Sequence, residues 1–246
     1  KEKFAGGDFT TTVEAYVPVN GRGVQGATSH HLGQNFSKMF DISYEDPDKG
    51  GRAFAFQNSW GLTTRTIGVM IMVHGDDSGL VLPPRVASVQ VIILPVGITA
   101  NTTDDDRNKL TKAANDALET LQKAEVRAEA DLRDNYSPGW KFNHWELKGV
   151  PIRMEIGPKD LSADQVTLVV RHSGEKKTMK REDIPTAIPA LLEEIHKAMF
   201  EKVKGVRDAH LKQVTSFSDL RSQLDSKCIV LAPFCGRPDC EDNIKR

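Results

Sequence analysis

A polar segment over residues 25–31 carries side chains that could bind a small ligand. Gln25, Thr28 and His30 offer donors and acceptors there, and the glycine and alanine between them would let a ligand approach the backbone. The alternative interpretation is a polar loop with two exposed histidines. A metal site on His30 and its neighbour His31 is disfavoured, because adjacent side chains on an extended chain point to opposite faces.

A second segment, residues 58–65, places a tryptophan between two small residues and ends on an arginine. Trp60, flanked by Ser59 and Gly61, could line a small apolar pocket. Arg65 opens an apolar stretch, so its guanidinium should lie at the edge of a buried element, where it could stack on a purine and hold charge. On spacing alone, a core tryptophan and a surface arginine are the simpler interpretation.

A third segment, residues 137–155, alternates aromatic side chains with lysine, arginine, glutamate and histidine. This composition is typical of surfaces that stack and hydrogen-bond unpaired RNA bases. The acidic residues nearly balance the basic ones, so no electrostatic stripe is evident. We expect at least two of Trp140, Phe142 and Trp145 to fill a core instead.

All three cysteines lie near the C-terminal end of the sequence. An odd, clustered set is a poor disulfide framework and favours a reduced setting with a metal-binding or core role. Cys235 and Cys240 have a spacing at the looser end of structural zinc sites, but they supply only two of the four ligands that such a site needs.

Composition indicates an ordinary globular protein. The 246 residues carry a net charge of −1, with 39% hydrophobic and 27% charged residues, which gives no global positive field to attract a polyanion. No apolar run reaches the roughly 20 residues that span a membrane. The sequence starts without a methionine or an apolar signal core, so we expect a fragment or a processed chain.

The positioning elements can be read from local patterns. The first part predicts strands over residues 9–17, over residues 23–31 running into a loop, and over residues 54–60. The stretch 66–73 is apolar on all sides, so its period cannot distinguish a buried strand from a buried helix. Two prolines at 83 and 84 punctuate the chain and place a junction near residues 85–88.

After this junction the pattern changes to an alternation of strands and helices, which predicts an α/β unit with a mixed sheet. Thr103, followed by three aspartates, predicts a helix start, and apolar residues recur at helical spacing up to Leu121. The expected elements are a strand at 89–95, this helix, a strand at 126–132, a short helix at 141–147, strands at 151–156 and 166–171, and a long helix at 184–204. A strand, helix and strand over residues 213–233 follow as a third unit.

Taken together, these segments resemble the prolyl-tRNA synthetases of eukaryotes and archaea. Residues 61–65 and the apolar stretch after them resemble the third signature motif of class II aminoacyl-tRNA synthetases, which makes residues 66–74 a helix. The other matching segments are residues 4–8, 28–34, 79–87 and 137–151. The resemblance covers essentially the whole chain.

The resemblance implies an α/β protein in three parts. Residues 1–86 would be the C-terminal half of a class II catalytic domain, an α+β structure with an antiparallel sheet. Residues 87–182 would be an α/β anticodon-binding domain with a mixed sheet. Residues 183–246 would be a small, truncated α/β domain of the zinc-binding type.

The resemblance also assigns roles to residues at matching positions. Four would bind ATP: Gln25, Thr28, Thr63 and Arg65, with the guanidinium packed on the adenine. Five would bind proline: Phe4, His30, Ser59, Trp60 and Gly61. No residue would act as a covalent nucleophile. Cys235 and Cys240 would form half of a zinc site.

The implied activity is that of a cytoplasmic, homodimeric proline–tRNA ligase. It would activate L-proline with ATP and Mg²⁺ and transfer the prolyl group to the 3′ end of tRNA(Pro), with Zn²⁺ as a further candidate cofactor. The first two class II motifs, which supply another ATP-binding arginine and an acidic partner for the proline nitrogen, are expected upstream of Lys1. The alternative is a non-catalytic tRNA-binding or regulatory fragment.

Overall fold

The computed structural model describes residues 3–99 and 101–245. Contacts divide the chain into two compact units: a first unit formed by Lys1–Met72 with Val206–Arg246, and a second unit formed by Val73–Gly205. These limits differ from the predicted boundaries after residues 86 and 182, and the three-part domain assignment stays a prediction.

The first unit begins with a three-stranded antiparallel sheet in the order β1-β2-β5. The β-branched run at residues 10–13 favours the extended conformation of β1, and Gly21 adopts φ +69° in the turn that follows. The elements are β1 (Phe9–Val17), β2 (Arg22–Gly33), α1 (Asn35–Met39), β3 (Ser43–Glu45), β4 (Arg52–Phe54), β5 (Gln57–Leu62) and α2 (Arg65–His74).

Two sequence expectations are decided here. Apolar periodicity could not distinguish a strand from a helix over residues 66–73. They form the helix α2, as the family resemblance implied. The strand predicted over residues 23–31 is present as β2, but the loop into which it was expected to run is wrong, because β2 continues as a strand to Gly33. As the central strand, β2 bonds to β1 on one side and to β5 on the other, which holds its polar residues in an extended conformation.

The second unit is built on a five-stranded mixed sheet in the order β10-β9-β8-β6-β7. The pairs β7–β6 and β6–β8 are parallel, and β8–β9 and β9–β10 are antiparallel. The elements are β6 (Val91–Pro95), α3 (Asp104–Lys123), β7 (Ala128–Ala130), α4 (Pro138–Leu147), β8 (Ile152–Ile156), α5 (Pro158–Ser162), β9 (Gln165–Val170), β10 (Lys176–Lys180) and α6 (Ile184–His210).

A large hydrophobic cluster fills the space between this sheet and the helices α3 and α6. Ile93, Leu121 and Ile188 are fully buried in it. The helix α3 starts where the sequence predicted, because the Thr103 side chain accepts a hydrogen bond from the Asp106 amide and so satisfies one of the free donors of the first turn.

The segment that leads into the second-unit sheet is fixed by a bidentate ion pair. Arg171 donates from both terminal nitrogens to the Asp76 carboxylate, over 2.7 and 2.6 Å, and these bonds lower the pKa of Asp76. Further along, the Leu80 and Leu82 amides donate to backbone carbonyls at the end of α4. The stretch before β6 is therefore an ordered part of this unit.

The chain returns to the first unit after α6. A two-stranded parallel sheet pairs β11 (Leu211–Gln213) with β12 (Ile229–Leu231), with α7 (Phe217–Asp225) between them and α8 (Pro238–Lys245) after them. The predicted α/β class, with an antiparallel first sheet and a mixed second one, is confirmed. Among the helices of the described residues, none is long and apolar enough to cross a membrane.

Candidate functional site

A β-bulge in β2 determines which side chains share a face of the first sheet. Val13 lies opposite Ala27 and Glu14 lies opposite Gln25, so Gly26 is an extra residue with no counterpart on β1. Residues three apart on a regular strand point to opposite faces, but the extra residue shifts this alternation by one. Gln25 and Thr28 therefore lie on the same face.

The pairing of β2 with β5 brings the second polar segment to this face. Thr28 lies opposite Gly61, and His30 lies opposite Ser59. A side chain at position 61 would place its Cβ 3.1 Å from the Thr28 hydroxyl oxygen, so glycine keeps that space open. We call this surface the binding face; it is formed by Gln25, Thr28, His30, Ser59 and Gly61.

Two hydrogen bonds fix the start of α2 against the bulge. The Arg65 Nη2 donates to the Gln25 side-chain oxygen over 3.2 Å, and the Thr66 hydroxyl donates to the Gly26 carbonyl over 3.1 Å. The exposed Arg65 guanidinium therefore lies at the edge of the binding face. Thr63 lies in the short connection between β5 and α2, where its carbonyl accepts from the Thr66 amide and its side chain is exposed.

The histidine of the binding face has two neighbours. His30 Nδ1 lies 2.8 Å from the hydroxyl oxygen of Thr10, which is its partner across β1. The Phe4 ring lies 4.8 Å from the imidazole, centroid to centroid, and the Phe4 amide donates to the same Thr10 oxygen over 3.3 Å. Sequence reasoning missed Thr10; a predicted register for β1 against β2 would have paired it with His30.

The structure separates Trp60 from the other residues predicted to bind proline. Consecutive strand residues point to opposite faces, so Trp60, between Ser59 and Gly61, faces away from the binding face. It lies opposite Ser29 and is 81% exposed. We call this second surface the Trp60 face; its other members include Thr11, Val13, Ala27 and Leu62.

The two cysteines of the predicted half zinc site lie close to each other. Hydrogen bonds from the Arg237 backbone and from the Cys240 thiol lower the pKa of Cys235, and the same thiol contact raises the pKa of Cys240. Within residues 3–99 and 101–245, no group of three or more histidine, cysteine or acidic side chains could hold a metal ion. The zinc site stays a prediction.

The second unit presents a column of stacked rings at the start of α4. Tyr136 stacks on Trp140 at 3.9 Å between centroids, and Trp140 stacks on His144 at 4.7 Å. Trp140 and His144 are one helical turn apart, so their rings lie one above the other. The Ser137 hydroxyl caps the helix by accepting from the Trp140 amide over 3.3 Å.

A buried carboxylate anchors this column. Asp131 accepts from two nitrogens of Arg133, over 2.9 and 2.6 Å, and from the Trp145 indole nitrogen over 2.8 Å. The buried Lys141 ammonium donates to the Asp131 carbonyl over 3.0 Å. Burial by itself raises the pKa of Asp131, but the bonds from Arg133 and Trp145 and the charge of Lys141 outweigh it, and the pKa lies well below its usual range.

The column is open to a ligand on its outer side. Trp140 is 40% exposed, whereas Phe142 and Trp145 pack against a second hydrophobic cluster, so two of the three aromatics fill a core as expected. The Arg133 guanidinium lies 5.2 Å from the Trp140 ring centre. Burial and the charges of Lys148 and Arg133 lower the pKa of His144, which favours a neutral ring in the stack.

Comparisons with known proteins find relatives for the whole chain. Residues 90–191 match the family described as "Anticodon binding domain". Over 245 residues the chain is 59% identical to the bifunctional glutamate/proline–tRNA ligase of Drosophila melanogaster, covering 100% of this chain and 14% of the relative. Over 244 residues it is 50% identical to the cytoplasmic proline–tRNA ligase of Arabidopsis thaliana, covering 99% of this chain and 45% of the relative.

A solved structure extends the agreement to the fold. The crystal structure of prolyl-tRNA synthetase from Cryptosporidium parvum, complexed with L-proline and AMP, superposes with a TM-score of 0.88 at 48% identity. The match covers 99% of this chain and 51% of that one. The chain is homologous to prolyl-tRNA synthetases along its whole length.

The resemblance inferred from sequence is therefore confirmed, and it assigns the two surfaces to different regions. The stacked column lies inside the region that matches the anticodon-binding family, whereas the binding face lies outside it. The chain spans about half of the solved prolyl-tRNA synthetase and a smaller share of the ligases from Drosophila and Arabidopsis.

Proposed function

We propose that this chain is part of a proline–tRNA ligase. Such an enzyme activates L-proline with ATP to form prolyl-adenylate and then transfers the prolyl group to the 3′ end of tRNA(Pro). The observation that carries the proposal is the binding face. Gln25, Thr28 and His30 lie there on one surface, with Arg65 at its edge. A solved relative complexed with L-proline and AMP supports the same ligands.

On this proposal, the residues divide into a nucleotide part and an amino-acid part. Gln25, Thr28, Thr63 and Arg65 bind ATP, and the exposed Arg65 guanidinium packs on the adenine while Gln25 holds it in place. Phe4, His30, Ser59 and Gly61 bind proline. Trp60, which the family resemblance also assigned to proline, is not part of this set, because its side chain points to the other face of the sheet.

The residues of the binding face act by positioning. The proline carboxylate attacks the α-phosphate of ATP, pyrophosphate leaves, and no protein nucleophile is needed. Holding the two substrates in one orientation on a rigid sheet lowers the barrier by removing the entropy cost of bringing them together. A bound Mg²⁺ would stabilise the phosphate charge that develops. The Arg65 guanidinium adds a fixed positive charge beside the nucleotide.

The exchange of pyrophosphate into ATP tests this activity. The full-length gene product is expected to catalyse exchange when L-proline is added and to lose it when proline is replaced by threonine, glycine or histidine. Exchange stimulated by one of those amino acids and not by proline would refute the proposed specificity. The absence of exchange with any amino acid would favour a non-catalytic tRNA-binding or regulatory role, which the ligase names of the relatives do not support.

The second unit, on the same proposal, binds the anticodon loop of tRNA(Pro). The exposed Trp140 ring can stack an unpaired base, and Arg133 at its edge can contact a base or a phosphate. Stacking of one base on an aromatic ring contributes about 1–3 kcal/mol. The Asp131 carboxylate holds the Arg133 guanidinium in place before RNA arrives.

A tRNA-specific defect would test this surface. Trp140→Ala is expected to raise the KM for tRNA(Pro) by about 10- to 100-fold, because the stacking of one base is lost. Proline-dependent exchange should stay unchanged. Phe200→Ala is the matched control, since Phe200 is also an exposed aromatic residue of the second unit and lies outside the column. A normal KM for tRNA in the Trp140 variant would refute the stacking role.

The remaining features of the proposal rest on the family resemblance. We expect a homodimer in the cytoplasm, as the name of the Arabidopsis relative suggests for its location. We also expect the three-part domain organisation with boundaries after residues 86 and 182. Zinc analysis of the full-length protein, with Cys235→Ser as the comparison, tests the predicted metal site.

A further inference from the structure

The Thr10 hydroxyl contacts both parts of the chain that are proposed to hold the prolyl group. It lies 2.8 Å from His30 Nδ1 and accepts a hydrogen bond from the Phe4 amide over 3.3 Å. The pairing of β1 with β2 places Thr10 directly across from His30, so the contact follows from the sheet register. One hydroxyl thus joins the segment before the sheet to the histidine of the binding face.

The Thr10 hydroxyl can donate to His30 Nδ1 or accept from it, and each choice corresponds to a different tautomer of a neutral imidazole. The Phe4 amide can only donate, so the Thr10 oxygen accepts there and its single hydrogen remains free for His30. When the hydroxyl donates that hydrogen, Nδ1 is the acceptor and the proton of the neutral ring is on Nε2. Nε2–H is then the donor left for a ligand on the binding face.

The same contacts fix the orientation of the ring. The Phe4 ring packs against the imidazole at 4.8 Å with an interplanar angle of 33°, which limits rotation on one side. On the other side the bond to Thr10 prevents the ring from turning over and exchanging its two nitrogens. Without the hydroxyl, the ring could present either nitrogen to a ligand.

We propose that Thr10 is a positioning residue for the amino-acid site, which fixes the tautomer and the ring orientation of His30. This inference rests on the proposed function and extends it to a residue that does not touch the substrate. Because Thr10 acts through His30, its loss is expected to affect proline binding and to leave ATP binding unchanged. The nucleotide part, Gln25 with Arg65, has its own hydrogen bond and does not depend on Thr10.

The test compares three variants of the full-length gene product by pyrophosphate exchange. Thr10→Val keeps the shape and the strand propensity but removes the hydroxyl, and Thr10→Ser keeps the hydroxyl. Thr11→Val is the matched control, because Thr11 is the next residue of the same strand and faces the Trp60 side. Thermal unfolding of each variant shows whether the fold is intact.

The expected result is a split between the two substrates. Thr10→Val should raise the KM for proline about tenfold, as for the loss of one hydrogen bond, and should leave the KM for ATP within about twofold. Thr10→Ser and Thr11→Val should both have near-wild-type KM values for proline.

Other outcomes would overturn the inference in distinguishable ways. A Thr10→Val enzyme with a normal KM for proline would remove the positioning role and leave the proposed function intact. Equal increases in both KM values, or a Thr10→Ser enzyme as impaired as Thr10→Val, would indicate a general disturbance of the sheet. A wild-type enzyme without proline-dependent exchange would refute the proposed function and this inference with it.

Discussion

The two proposed binding surfaces are held in place by different means. In the second unit, Arg133 joins the stacked rings to a buried carboxylate, and two of the rings lie on a helix beside a fully buried strand, β6. In the first unit, the residues of the binding face are half-buried or exposed, and they are aligned by strand register and one bulge. Position is thus set by side-chain packing in one region and by backbone pairing in the other.

This difference predicts how each surface responds to substitution. Both hydrophobic clusters found in the described part of the chain belong to the second unit. Removing an anchor there should lower the free energy of unfolding together with RNA binding. Removing a side chain from the binding face should affect ligand binding with little loss of stability, because surface substitutions usually change stability by less than about 0.5 kcal/mol.

The largest expected effect comes from the anchor of the stacked column. Asp131→Ala should lower the free energy of unfolding by about 3–5 kcal/mol, because it removes the carboxylate that neutralises the buried Lys141 charge and leaves only the bond to the backbone carbonyl at position 131. Urea denaturation of the variant measures this loss. Asp134→Ala, an exposed carboxylate three residues away, is the control and should change stability little. An equally small change in Asp131→Ala would show that the column is not anchored in this way.

The same carboxylate predicts a dependence of stability on pH. The pKa of Asp131 is lower in the folded protein than its ordinary value of 3.8, so its ionised form stabilises the fold. That contribution is complete above the unfolded pKa and is lost as the pH falls below about 4 toward the folded value. Unfolding of the wild type and of Asp131→Asn across this range should show a steeper decline in the wild type. Parallel curves would contradict the assignment.

The next effect in size belongs to the binding face. Arg65→Ala should raise the KM for ATP by about 10- to 100-fold, since hydrogen bonds to charged groups contribute about 1.5–3 kcal/mol. The free energy of unfolding should stay close to that of the wild type. Arg52→Ala, another exposed arginine of the first unit, serves as the control in pyrophosphate exchange. A normal KM for ATP would exclude Arg65 from the site. A large loss of stability would contradict the expectation that substitutions on the binding face affect ligand binding and not stability.

The smallest effect tests the packing of the first unit itself. The buried Tyr16 donates from its hydroxyl to the Lys227 carbonyl over 2.8 Å, and burial raises the pKa of this tyrosine. Tyr16→Phe should therefore lower the free energy of unfolding by about 1 kcal/mol, as for one neutral hydrogen bond. Tyr44→Phe, in an exposed position, should leave it unchanged. Identical stabilities of the two variants would mean that the bond to Lys227 contributes nothing.

Much of the second unit could be predicted from sequence because its signals are local. Thr103 with the aspartates after it marks the start of α3, and the apolar spacing up to Leu121 marks its buried face. The strand β10 (Lys176–Lys180) was missed, because it is a lysine-rich edge strand that contributes only Met179 to the core.

The geometry of the binding face could be predicted only in part. Residue types identified its two segments and the family resemblance assigned their roles, but the spacing of Gln25 and Thr28 would put them on opposite faces of a regular strand. The bulge at Gly26 places them on the same face. A glycine at this position is also compatible with a regular strand, so the local sequence does not identify the bulge. The direction of Trp60 and the pairing of Thr10 with His30 depend on the register between strands, which is a long-range property.

The most direct test of the account is a crystal structure of the full-length gene product with a non-hydrolysable prolyl-adenylate analogue. The account predicts that the adenine lies against the Arg65 guanidinium, close to Gln25 and Thr28, with the prolyl ring beside His30 on the same face of the sheet. An analogue bound on the Trp60 face, or bound with its adenine away from Arg65, would contradict it.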